Sequence, residues 1–111
     1  MKKDSAETRT WKLEKTTNQN SKIDMMGVMT RTKRMIAFDK NILVVKVKVE
    51  KSLSSLMYTE QDKKALKWYI DMVFFIDYDA NADVDELANT DTVGELMNNI
   101  YFNYIPEERR V

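Results

Sequence analysis

Apolar and polar positions alternate strictly in two stretches of the chain. In NILVVKVKVEK, residues 41–51, Leu43, Val45, Val47 and Val49 fall on one side, and Lys46, Lys48 and Glu50 on the other. A period of two is the mark of a half-buried strand, so the stretch predicts a strand with its lysines in water. In KWYIDMVFFIDYD, residues 67–79, the even positions Trp68, Ile70, Met72, Phe74, Ile76 and Tyr78 are all apolar. The odd positions Tyr69, Asp71, Val73, Phe75 and Asp77 are apolar in the middle. This predicts a second strand with one face in the core and the other covered by a helix, a loop or another subunit. Burial of Phe75 alone would contribute about 1.5–3 kcal/mol.

Weaker patterns surround these two. TRTWKLEKT, residues 8–16, puts Trp11 and Leu13 on one side and reads as a short polar edge strand. TTNQNS, residues 16–21, has the composition of a turn. Residues 22–38 admit two readings. Met25, Val28, Met29, Thr32 and Ile36 fit a helical stripe, while Ile23, Met25 and the alternation from Arg31 to Phe38 fit strands. Gly27 and the nearby valine and threonine favour strand, with FDKN, residues 38–41, as a hairpin turn. Residues 52–66 are either a long hairpin turning at TEQD or a short helix beginning at Thr59, whose Asp62 approximates a capping box. TVGELMNNIYFNY, residues 92–104, is the clearest helix. Val93, Leu96, Met97, Ile100, Tyr101 and Tyr104 form one stripe of period 3.6, Thr92 and Glu95 match a capping box, and Pro106 stops it.

Together these elements predict one α+β domain over residues 1–111: an antiparallel sheet of three to five strands, with the amphipathic C-terminal helix packed on one face. Residues 1–7 are expected to be a flexible tail. The order polar strand, long strand, long strand, amphipathic helix resembles that of SecB-type export chaperones over residues 8–104. NILVVKVKV, KWYIDMVFFIDYD and NTDTVGELMNNIYFNY occupy the comparable places. The resemblance is one of element order, and it implies an oligomer that binds unfolded polypeptide along apolar grooves.

Composition narrows the chemistry. Apolar residues make up 43% of the 111 and charged residues 32%, which describes a chain that buries a core rather than a disordered one. There is no cysteine and no histidine. Thiolate nucleophiles, disulfides, zinc–thiolate sites and imidazole bases are therefore excluded. Gly27 and Gly94 are the only glycines, too few for a glycine-rich phosphate loop. Asp71 and Asp77, six residues apart on a strand, would lie about 20 Å from each other, too far to share a proton. Catalysis is not expected.

The acidic run DYDANADVDE, residues 77–86, imitates a calcium loop at Asp77, Asp79 and Asn81. It fails where such a loop needs glycine, at Ala82, and where it needs a bidentate glutamate, at Ala88. It reads instead as a strand giving way to a helix, with Asp83, Asp85 and Glu86 at the positive end of the backbone dipole and Asp83–Glu86 as a capping pair. No metal or cofactor is expected. No apolar run reaches the roughly 18 residues of a membrane span and no apolar leader follows Met1. A cytoplasmic protein with no membrane partner is expected.

The zero formal net charge conceals an asymmetry. Residues 1–51 carry 13 basic against 6 acidic side chains, and residues 52–111 carry 5 against 12. The halves can pair within one fold or head to tail between copies, or the basic half can meet an acidic partner. Arg31, Lys33, Arg34, Lys46 and Lys48 form the candidate basic patch for nucleic acid or an acidic partner, with Trp11 able to stack on a base. Tyr69, Val73 and Phe75, on the second apolar face of 67–79, are the candidate protein interface. Eight methionines, three of them at Met25, Met26 and Met29, supply adaptable apolar surface. The leading functional expectation is a non-catalytic protein-binding module, an accessory or inhibitor protein that occludes a partner surface and self-associates as a homo-oligomer. The alternatives are a SecB-like chaperone and a nucleic-acid-binding protein.

Overall fold

The computed structural model describes residues 21–77, 79 and 81–111. The tail 1–7 and the edge strand expected over 8–16, with Trp11, lie outside the described residues. The antiparallel sheet does not form. Among the described residues, β pairing is confined to two isolated bridges, Ile23 with Arg110 and Ser52 with Thr92. The architecture is helical.

Helix α1, Met25–Lys40, occupies the stretch for which strand was favoured. Asp24 caps it, its Oδ1 accepting from the Gly27 N–H at 2.8 Å. The helical stripe wins over the alternation: Val28, Thr32, Met35, Ile36 and Ala37 are buried. FDKN is not a hairpin turn. Asn41 takes the left-handed conformation, φ 54°, and the Ile42 N–H reaches back to the Ala37 carbonyl at 3.0 Å, which closes the helix C-terminus.

The predicted strand 41–51 is a connector containing a 3₁₀ turn, Val44–Lys46. Of its four supposed core positions, Val47 is 1% exposed, whereas Leu43 and Val45 are 67% and 69% exposed. A strand must find its backbone partners on a neighbouring chain segment, and here the neighbours are helices, which offer none. The connector is held instead by its far end, where the Val49 and Lys51 carbonyls accept from the N–H groups of Gly94 (2.9 Å) and Val93 (3.0 Å). A Cβ on Gly94 would stand 2.8 Å from Val49 Cγ1, so any other residue there would have to push the Val49 side chain aside.

Helix α2, Glu60–Val73, replaces most of the second predicted strand. Thr59 and Asp62 form a complete capping box: the Thr59 hydroxyl accepts from the Asp62 N–H and the Asp62 carboxylate from the Thr59 N–H, both at 3.1 Å. The buried apolar positions are Leu66, Ile70 and Phe74, spaced by four, and Lys67 and Asp71 are buried beside them. Because residues 68–76 are apolar at nearly every position, they satisfy either period. The capped, charged start at residues 59–64 selects the helix, and Trp68 and Met72 consequently face solvent, 66% and 61% exposed.

The helix expected over 92–104 forms. Its α-helical part, α4, is Val93–Asn99, with the Thr92–Glu95 capping box in place, and it continues as a π-helical turn over Ile100–Tyr104 before Pro106. It lays Val93, Leu96, Met97, Ile100 and Tyr101 against α1 rather than on a sheet. A one-turn helix, α3, Asp85–Ala88, packs on α2. No helix among the described residues is long and apolar enough to cross a membrane.

Candidate functional site

Helix α1 presents Arg31, Arg34, Met35 and Phe38 along one face, at the spacing i, i+3, i+4, i+7. Helix α2 and its C-terminal cap present Tyr69, Met72, Val73 and Phe75 opposite. Between them lies a groove of about 450 Å³, a volume in the range of small-molecule ligand pockets. Its walls are apolar and aromatic. Phe38, at one end, is 83% exposed.

The two guanidinium groups on the α1 side are its charged members. Among the described residues, neither Arg31 nor Arg34 has a hydrogen-bond or ion-pair partner. A third guanidinium, that of Arg109, lies buried close behind. Burial pushes its pKa down, and the neighbouring Arg31 charge adds to the effect.

Arg109 builds one wall of the groove indirectly. Its Nη1 donates to the carbonyls of Phe74 (2.9 Å) and Phe75 (3.3 Å), and its Nε to that of Ser21 (2.9 Å). A cation is thus fixed on the last carbonyls of α2, where the helix dipole favours it. Phe75 itself sits at φ 56°, in the left-handed region. The Ile76 N–H then bonds the Asp71 carbonyl at 2.9 Å to close the helix. Glycine or asparagine is normal at such a cap. A phenylalanine there costs about 1–3 kcal/mol of backbone strain, and its ring lines the groove.

The structure therefore brings Tyr69, Val73 and Phe75 together with Arg31 and Arg34, two sets that the sequence had suggested for separate surfaces. They do not share a sheet face. Lys33 points to the opposite side of α1, and Lys46 and Lys48 stand on the connector, so none of the three lines the groove. The basic stripe across paired strands does not exist. Met35, Phe38 and Met72 were missed. Their signal was the helical spacing in RTKRMIAF and KWYIDMV, obscured by reading both at a period of two.

On the other flank of α2, Lys67 and Asp71 form a buried ion pair one helical turn apart. The Lys67 ammonium lies 5.2 Å from the centre of the Tyr104 ring. Desolvation raises the Asp71 pKa, the Lys67 hydrogen bond and charge oppose this, and the charges of Asp79 and Asp77 add to it. The 20 Å separation of Asp71 and Asp77 expected of a strand does not apply, because the chain reverses at Phe75. Among the described residues, Asp71 Oδ2 and the Tyr104 hydroxyl have no hydrogen-bond partner.

In the acidic run, Asp79 and Asp83 serve the local backbone and Asp85 pairs with Lys64 at 4.0 Å. Asp79 Oδ1 accepts from the Asn81 N–H and Asp83 Oδ1 from the Asp85 N–H, each at 2.9 Å. No strand gives way to a helix here, and Asp83–Glu86 is not a capping pair: α3 starts after Val84 without a side-chain cap. Among the described residues, no three carboxylates are grouped so that they could hold a metal ion.

Comparison with protein-family profiles, with curated proteins and with solved structures gives no match for the chain. Function is therefore argued from the groove and its chemistry.

Proposed function

We propose that this protein is a non-catalytic protein-binding module of the cytoplasm, acting as an accessory or inhibitor protein that occludes a partner surface through the α1–α2 groove. The observation that carries this reading is the convergence of exposed Phe38 and Met72 with Tyr69, Val73 and Phe75 around one concavity. Large apolar side chains left in water around a preformed groove are characteristic of interfaces. The strained Phe75 points the same way, because strain persists where it serves a site. A SecB-like chaperone is set aside, since that resemblance rested on strands the chain does not form. Nucleic-acid binding loses its basis with the loss of the basic stripe.

The test is capture of partners from the native host by wild-type protein and by Met72→Glu. Met72 is exposed, so the variant keeps the fold, which circular dichroism checks. The expected outcome is a protein retained by wild type and lost with the variant, whose purified form then binds wild type directly in calorimetry. Equal retention of every partner by both proteins would sink the reading.

A further inference from the structure

Resting on that reading of the groove, we infer that its occupant is an acidic amphipathic helix of a partner protein, with apolar side chains on the groove floor and carboxylates one turn apart on Arg31 and Arg34. The floor and the rim make different demands. The floor is the buried Met35 and the half-buried Val73, flanked by the exposed Phe38 and Met72; none of these side chains is polar, and the surface takes apolar side chains. The rim carries two arginines three residues apart on α1, so their Cβ atoms stand about 5–6 Å apart on one face of the helix. Neither is neutralised by a carboxylate among the described residues.

Behind them Arg109 is buried, its charge answered by carbonyl groups rather than by an acid. Three guanidinium groups thus leave a positive field over an apolar surface. A bound segment without carboxylates would leave that field uncompensated and bury part of it. Guanidinium forks pair carboxylates in two parallel hydrogen bonds, and side chains one helical turn apart on a partner helix repeat at the spacing of Arg31 and Arg34. A cleft between two helices accepts a third by its apolar stripe. Nucleic acid is disfavoured by the apolar floor, because a phosphate backbone seeks a cationic track.

The experiment is fluorescence anisotropy with three labelled 18-residue helical peptides: leucines at i, i+3, i+4 and i+7 flanked by glutamates, the same leucines flanked by lysines, and the glutamate peptide with serine in place of leucine. Only the first is expected to bind wild type, more weakly as salt is raised. Binding should fall on the order of tenfold or more for the Arg31→Glu/Arg34→Glu double variant, the loss expected when two charge pairs are reversed. The same variant should gain the lysine-flanked peptide, a rescue that a misfolded protein cannot give. Phe75→Gly should weaken the glutamate peptide several-fold without lowering Tm.

Equal binding of the glutamate and lysine peptides would overturn the charge assignment while leaving the groove reading intact, provided Met72→Glu still abolishes both. No peptide binding, with a wild-type dimer that Met72→Glu converts to monomer, would assign the groove to a second copy and overturn the inference. So would DNA or RNA binding that Arg31→Glu/Arg34→Glu abolishes. Failure of every ligand, with Met72→Glu silent in the host capture as well, would overturn inference and groove reading together.

Discussion

At the scale of single residues, the molecule spends stability in two places. Phe75 holds a left-handed backbone that its side chain disfavours, and Arg109 braces it by donating to the Phe74 and Phe75 carbonyls, in the peptides before and after it. Replacing Phe75 with glycine removes the strain together with a half-buried ring. Stability measured by urea denaturation should stay level or rise by up to about 1 kcal/mol, while groove binding falls. The second place is the Lys67–Asp71 pair. Both side chains are out of water, and a buried ion pair seldom outweighs its desolvation cost. Lys67→Met alone should destabilise by about 3 kcal/mol, because it strands the Asp71 carboxylate beside the charges of Asp77 and Asp79. Adding Asp71→Leu should recover most of that loss. A double variant as unstable as the single one would show that the pair contributes net stability.

At the scale of elements, the helix starts carry the clearest local signals. Thr59–Asp62 and Thr92–Glu95 each close a reciprocal pair of bonds over N–H groups that would otherwise lack partners. Thr59→Ala and Thr92→Ala should each cost about 1 kcal/mol in denaturant unfolding. The Asp62 carboxylate is held below its ordinary pKa by the Thr59 bonds, so its contribution is full above the ordinary carboxylate value and fades as pH falls through the lowered one. The Thr92–Glu95 cap was legible because a cap is a property of four consecutive residues, whereas Thr59–Asp62 stood beside a hairpin reading of the same residues. The helical stripe of residues 93–104 was legible because its polar positions are charged or amide and allow one period only. Residues 68–76 were not, since a run apolar at nearly every position carries no period to read.

At the scale of the whole molecule, two desolvated phenols govern how the fold responds to alkali. Tyr58 donates to Asp39 Oδ2 at 2.7 Å, and burial, then that bond, raise its pKa. Tyr104, near the buried ion pair, is pushed up to about 12, by desolvation first and then by Glu86, Asp83 and Asp71. A phenol whose folded pKa exceeds its unfolded value of about 10 gives stability that is complete below pH 10 and drains away as pH rises toward the folded value. Tm should therefore fall steeply from about pH 10 upward. Tyr104→Phe should flatten the fall at little cost near pH 7, its hydroxyl having no partner to lose. A Tm profile in which Tyr104→Phe and wild type fall in parallel would remove Tyr104 from this account.

The groove shows where sequence reasoning reached and where it stopped. Tyr69, Val73 and Phe75 were legible as surplus apolar residues, and Arg31 and Arg34 as surplus charge. Nothing local joined them, because they lie on different helices brought together by packing. By itself the sequence determined the Thr92–Glu95 cap, the C-terminal helix it opens, and the absence of thiol and imidazole chemistry, each of which depends on residue identity or on a few neighbouring positions. Only the tertiary structure decided that 41–51 and 67–79 would not be strands. A helix satisfies its own backbone, while a strand borrows its hydrogen bonds from another segment, so a period-two pattern becomes a sheet only if the rest of the chain supplies an edge. Here α1, α2 and α4 bury their apolar stripes in one core instead, and among the described residues no edge is offered.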